Sequence, residues 1–93
     1  MAKQIKPIET PDLTQPFSAK LLGEAIRARR TQSQLRLEDA AALCNVAKQT
    51  LMKVEHGDGT SQLISVLQIC QGLGVSLCIL PWPNDEDNEN EWQ

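Results

Sequence analysis

The chain has 93 residues, which is enough for one small domain with a modest core unless a second copy adds buried surface. The three cysteines form no C-x-x-C pair and the chain has a single histidine, so we expect no zinc site. The odd cysteine count also disfavours a disulfide framework, and we expect reduced, buried cysteines. The N-terminus lacks the apolar core of a signal peptide and no segment approaches membrane-span length, which predicts a cytoplasmic protein without a membrane partner.

The net charge of −3 is unevenly distributed along the chain. Residues 1–16 hold two basic and two acidic side chains and cancel, whereas residues 84–93 hold five acidic side chains and no basic one. Residues 17–83 hold seven basic and five acidic side chains, which gives this body a charge of +2. A slightly basic body is compatible with a phosphate-rich partner, because the acidity belongs to the tail.

The first half of the chain predicts an arm followed by three helices. Three prolines punctuate residues 1–16, which we expect to form a flexible N-terminal arm. Apolar residues at helical spacing then predict a first helix over about 18–31, with Ser18 as its N-cap. A second helix is predicted over 37–44 and a third over about 47–56.

The C-terminal part predicts one more helix, a strand and a tail. An apolar stripe beginning at Leu63 indicates a fourth helix that ends at Gly74, which completes a body over 17–74. The apolar run "VSLCIL", residues 75–80, predicts a strand. A lone strand leaves its edges unpaired, so we expect the same strand of a second copy to pair with it in a homodimer. The predicted fold is therefore all-α, with four to five helices and one strand that pairs across the dimer.

The tail, residues 81–93, is acidic, lacks periodicity and is expected to be disordered. A solubilising segment is the simplest interpretation of this composition. The tail nevertheless contains Trp82 and Trp92, and large apolar side chains in such a segment are typical anchors for a protein partner.

The third predicted helix has one polar face. At ~100° per residue, five side chains share an arc of roughly 140°, opposite Leu51 and Val54. These five are Lys48, Gln49, Met52, Lys53 and His56. Lysine and glutamine donors suit guanine and adenine edges in the major groove, and methionine suits a thymine methyl. The alternative is an ordinary solvated face of an amphipathic helix, with Met52 equally able to meet a protein partner.

Three stretches, "LGEAIRARR" (22–30), "LRLEDAAALCNVAKQTLMKVEHG" (35–57) and "LISVLQICQGLGVSL" (63–77), resemble the Cro/repressor-like (XRE) helix-turn-helix family. The resemblance implies that the third helix reads DNA, with a structural ion pair between Arg30 and Glu55. The implied base contacts are Lys48, Gln49, Met52 and Lys53, and the implied phosphate contacts are Thr50 and His56. Arg36 and Ala47 depart from the family by replacing its usual Ser/Thr caps, and Arg36 is a further candidate phosphate contact.

A four-helix body followed by one strand and a tail ending near "EW" resembles the HipB-type antitoxins. This resemblance implies a repressor of its own operon that binds a palindromic operator and holds a HipA-like serine/threonine kinase toxin, with Trp92 contacting the kinase. Two alternatives stay open, namely a stand-alone regulator without a kinase partner and a protein-interaction module that no longer binds DNA. We expect no enzyme, metal or cofactor, because nothing pairs His56 with a nucleophile and no phosphate-binding loop is present.

Overall fold

The computed structural model describes residues 4–83, and these contain four α-helices. The helices are α1 (Ala19–Gln32), α2 (Leu37–Cys44), α3 (Lys48–Glu55) and α4 (Leu63–Leu73). They confirm the all-helical class, and each lies within a residue or two of its predicted bounds. No helix in this part of the chain has both the length and the apolar character needed to cross a bilayer.

Short-range signals determine where the helices begin and end. The Ser18 hydroxyl accepts a hydrogen bond from the backbone N–H of Leu21 at 3.0 Å, which caps α1 as predicted. The N-caps of α2 and α3 are Arg36 and Ala47, and neither makes a side-chain capping bond. Asn45 ends α2 in the left-handed region with φ 59°. The first turns of α2 and α3 therefore keep backbone N–H groups that no cap side chain occupies.

The core lies where all four helices meet. Its largest fully buried side chains are Ile26 from α1, Leu51 from α3 and Ile69 from α4. From α2 come the small buried residues Ala40 and Ala41, which let that helix approach α3 and α4 closely. Because Leu51 is part of this core, the orientation of α3 about its own axis is determined by packing.

Two glycines sit where another helix comes too close for a side chain. A Cβ at Gly23 would lie 2.7 Å from the carbonyl oxygen of Glu55, so α1 crosses the end of α3 in direct contact with its backbone. A Cβ at Gly72 would lie 3.1 Å from the Cα of Cys44. α4 therefore packs directly against Cys44 at Gly72. Burial raises the pKa of the Cys44 thiol.

The cysteines only partly match the prediction. Cys44 and Cys70 are buried and free, as expected, and burial raises the pKa of the Cys70 thiol as well. Cys78 is exposed, so the prediction that it is buried is wrong. It lies in the segment predicted as a strand, where no other part of residues 4–83 covers it.

That segment, residues 75–80, is neither helix nor strand, and residues 4–83 contain no strand at all. The predicted strand is therefore not supported. The physical reason is that a strand is defined by ladder hydrogen bonds to a neighbour, and no other part of the described chain is available to supply them.

Residues 4–17, which we call the N-terminal arm, form no regular helix or strand. The arm runs back along α1, with Ile5 beside Gln34 and Ile8 beside Thr31. The sequence did not predict this placement. The predicted flexibility of residues 1–16 stays a prediction.

Candidate nucleic-acid interface

Helix α3 presents a polar face to solvent and an apolar face to the core. Leu51, Val54 and Glu55 are buried. Thr50 is half-buried, and the remaining predicted contact residues of this helix and its C-cap are exposed. Those exposed residues are Lys48, Gln49, Met52, Lys53 and His56. A face of this kind, about two turns long and free of neighbouring helices, has the dimensions that a major groove admits.

The N-terminal end of α2 adjoins this face. Arg36 is exposed at the N-cap, and the first-turn N–H groups of α2 lack a side-chain cap. Free N–H groups at a helix N-terminus attract phosphate, and an arginine beside them adds a bidentate donor. This end of α2 therefore suits the phosphate backbone, whereas α3 suits base edges.

An ion pair joins the two helices at the interface. Lys48 Nζ lies 3.4 Å from Glu38 Oε2, and both side chains are about half exposed. The Glu38 backbone N–H and then the Lys48 ammonium hold the pKa of the Glu38 carboxyl below its usual range. Glu38 is thus paired with Lys48, one of the predicted base contacts.

We expect Glu38→Gln to strengthen binding to a specific duplex about 2- to 5-fold at low salt, because exposed ion pairs are weak and their removal frees Lys48. The gain should shrink as salt rises, since salt screens exposed charges. Fluorescence anisotropy titrations at several salt concentrations measure both effects.

The matched control is Glu24→Gln, which makes the same charge change at an exposed position on α1 that has no ion pair among the described residues. Equal gains for both variants would show that net charge alone is responsible. Weaker binding by Glu38→Gln would mean that the ion pair orients Lys48 productively.

A second ion pair lies under the interface. Arg30 Nε and Nη2 donate to the two carboxylate oxygens of Glu55 at 2.6 and 3.0 Å, and the two side chains are only 9% and 5% exposed. Arg30 Nη1 also donates to the carbonyl oxygen of Leu35 at 2.9 Å. One guanidinium thus ties the turn before α2 to the last turn of α3, and so holds α2 and α3 in register.

The predicted site residues therefore fall into three groups. The α3 residues and Arg36 share one side of the molecule, whereas Arg30 and Glu55 lie beneath it. Trp92 lies outside the described residues, so its predicted partner contact stays a prediction. Sequence reasoning missed Glu38 as an interface residue. Nothing in local spacing reveals a pair between two helices.

Comparisons with known proteins agree with this geometry. A family model described as "Helix-turn-helix" (HTH_3) matches residues 26–80, which is more than half of the chain. The chain is also 34% identical over 59 residues to y4mF of Sinorhizobium fredii, named an uncharacterized HTH-type transcriptional regulator. That alignment covers 63% of this chain and 78% of the relative. The protein belongs to the XRE-type helix-turn-helix family.

Proposed function

We propose that this protein is a homodimeric, sequence-specific DNA-binding transcriptional repressor. Membership of the helix-turn-helix family supports a role as a DNA-binding regulator. The observation that carries the proposal is the exposed polar face of α3 beside the uncapped, arginine-bearing start of α2. α3 would lie in the major groove and read base edges through Lys48, Gln49 and Lys53. Occupying a promoter in this way excludes the transcription machinery.

The dimer is supported by an unusual exposure of apolar side chains near the C-terminal end of the described chain. Ile79 is 85% exposed and Leu80 is 74% exposed, and Trp82 follows them. They adjoin an apolar groove of about 860 Å³ between the arm, α1 and residues 74–79, with Leu13 and Phe17 on its walls. Single-chain proteins rarely leave such a contiguous surface open to water. A second copy of the same segment would cover it and provide the missing strand partner.

The test is selection of duplexes from a random-sequence pool by the full chain, followed by light scattering of the protein alone and with the selected duplex. We expect a palindromic sequence whose half-sites lie about 34 Å apart, bound by one dimer. Failure to enrich any sequence would overturn the proposal of sequence-specific binding. Enrichment of a single half-site bound by a monomer would overturn the proposed dimer but would support sequence-specific DNA binding.

We also propose an antitoxin-type role, in which the dimer holds a HipA-like serine/threonine kinase and represses its own operon. The support is the resemblance to HipB-type proteins in the order of body, apolar segment and acidic tail. Capture of such a kinase by the full chain, and its loss on deletion of residues 84–93, is the expected result. Capture unaffected by the deletion would argue against a role for Trp92, and no capture would favour a stand-alone regulator.

A further inference from the structure

The N-terminal arm holds two apolar side chains in water on the wall of the apolar groove. Leu13 is 62% exposed and Phe17 is 69% exposed, and both line the groove. The Asp12 carboxylate accepts from the backbone N–H of Thr14 at 2.9 Å and from its hydroxyl at 2.6 Å, which closes a turn around Leu13. Phe17 directly precedes Ser18, the N-cap of α1. Local structure therefore fixes where both side chains are attached.

The first half of the arm is also held by side chains that bind its backbone. The Gln34 amide accepts from Ile5 N at 2.9 Å and donates to Ile5 O at 2.7 Å. The Thr31 hydroxyl accepts from Ile8 N at 3.0 Å, and Gln32 Nε2 donates to Ile8 O at 2.8 Å. An apolar wall that is ordered in the free chain loses less conformational entropy when a partner binds it.

Another side of the groove, residues 74–79, becomes more exposed along its length. Val75 is half-buried and packs against the core, whereas Leu77 is 42% exposed and Ile79 is 85% exposed. In a two-fold pair of antiparallel segments, the end of one segment lies opposite the beginning of the other. A second copy paired in this way brings its exposed Ile79 beside the covered Val75 of the first, which lines the groove.

The charges around the groove suit a protein surface better than a nucleic acid. Residues 59–83 contain no Asp, Glu, Lys or Arg. Among the described residues that line the groove Arg29 alone is charged, and its Nε donates to the carbonyl oxygen of Leu73 at 2.9 Å. Charged residues are depleted in the cores of protein interfaces, whereas phosphate-binding surfaces need several cations.

The apolar area shows how much the arm would add to an interface between two copies. Applied to typical side-chain areas, the exposed fractions of Ile79, Leu80 and Trp82 amount to roughly 400–700 Å² over both copies. That is the size of an ordinary crystal contact, which mostly buries less than about 800 Å². Leu13 and Phe17 raise the area to roughly 700–1,200 Å², before any paired backbone is counted. Specific interfaces bury about 1,200–2,000 Å², so the arm is needed to approach that range.

We propose that the second half of the arm, residues 10–17, forms one wall of the dimer interface. Ile79 of each copy inserts between the arm and α1 of the other copy, so that the two subunits exchange this side chain reciprocally. This inference rests on the dimer proposed above and adds an element outside the helix-turn-helix and the pairing segment. The arm thereby controls the fraction of molecules that are dimers, and through it the binding of a two-half-site duplex.

Leu13→Ser in the full chain tests this role. The dimer dissociation constant should rise about 20-fold or more, because a symmetric dimer loses the buried leucine area twice. Sedimentation equilibrium measures the constant, and circular dichroism checks that the helices are retained. The matched control is Leu63→Ser, which removes a leucine that is 69% exposed at the start of α4, roughly 15 Å along that helix from Leu73. It should leave the dimer constant nearly unchanged.

A double-mutant cycle tests the contact between the arm and the inserted side chain. Ile79→Ser should also weaken the dimer. If Leu13 and Ile79 of the two copies touch, the double variant should weaken it clearly less than the two single effects combined, because the second change removes a contact already lost. Strictly additive effects would overturn the insertion of Ile79 against the arm.

Cys78 supplies a natural reporter of the interface. It is exposed and lines the groove, whereas Cys44 and Cys70 are buried, so N-ethylmaleimide should react first at Cys78. In the wild type the rate of this reaction should fall about 10-fold or more as the protein concentration is raised through the dimer constant, because access to the thiol is lost. At the same concentrations Leu13→Ser should keep the fast rate of the monomer.

An unchanged dimer constant in Leu13→Ser, with dissociation in Ile79→Ser, would overturn the arm proposal and leave the proposed dimer standing. Equal weakening by Leu63→Ser would also overturn it, because any exposed leucine would then have the same effect. A wild-type chain that stays monomeric would overturn both the arm proposal and the dimer. Binding of a single half-site should be the same in Leu13→Ser and the wild type, since α3 is untouched. Weaker half-site binding by Leu13→Ser would mean that the arm acts on DNA binding other than through the dimer, and would overturn the proposal.

Discussion

Lys48→Ala combined with Lys53→Ala should raise the dissociation constant for the selected duplex about 100-fold or more. Each lysine projects from the exposed face of α3, and removing a side chain that binds a base or a phosphate typically weakens binding by one or two orders of magnitude. The salt slope should fall by about 2 if both contact phosphates, and by less if one reads a guanine edge. Gel shifts and anisotropy titrations measure these quantities.

The matched control for this variant is Lys20→Ala with Arg27→Ala, which removes two exposed cations from α1 and leaves α3 intact. The melting temperatures of both variants should stay near that of the wild type, because none of the four side chains is in the core. Unchanged gel shifts for the α3 variant would refute the assigned interface. They would favour the alternative in which the helix-turn-helix serves only protein contacts.

The α3 face could be predicted from sequence because one helix period determines it. Leu51 and Val54 are apolar at a spacing of three, so the polar residues between and around them must point away from the core once the helix forms. The helix ends were predictable for the same local reason, since Ser18 and Asn45 act through bonds to backbone groups within a few residues. All the residues that form such a cap lie within a few positions of one another in the sequence.

Contacts between distant segments could not be predicted in this way. The Gln34 amide bonds Ile5 across 29 residues, and polar side chains that bind an irregular backbone show no period that would reveal the pairing. The Glu38 and Lys48 pair depends on the angle between two helices, which is set by the small side chains packed between them. The predicted strand over 75–80 is not formed within one chain for a different reason. Strand pairing is a property of an assembly, and the apolar composition of one segment only makes it possible.

The Arg30 and Glu55 pair was expected from family resemblance, and its geometry explains what the resemblance alone could not. The carboxylate accepts two bonds from one guanidinium, whose third bond goes to the Leu35 carbonyl. These bonds connect α1, the turn before α2 and the last turn of α3. The interface therefore depends on a polar contact that is buried beneath it.

Glu55→Ala should accordingly destabilise the protein by about 3–5 kcal/mol, because it leaves the Arg30 guanidinium buried without its counter-charge. That is a large part of the roughly 5–15 kcal/mol by which a small domain is typically stable. Urea unfolding followed by circular dichroism measures the destabilisation. DNA binding should also weaken, because fewer molecules are folded and because α3 loses a constraint on its C-terminal turn.

Two further variants separate charge burial from simple removal of a side chain. Replacing both partners, by Arg30→Met with Glu55→Leu, should recover much of the stability, since a buried ion pair is often no better than an apolar pair of similar volume. Glu38→Ala removes one partner of the exposed pair and should hardly change the unfolding midpoint.

If Glu55→Ala destabilised the protein as little as Glu38→Ala, water would have to reach Arg30 in the variant. In that case the turn before α2 would be held by the Leu35 hydrogen bond and by core packing, and the buried pair would contribute only to the orientation of α3.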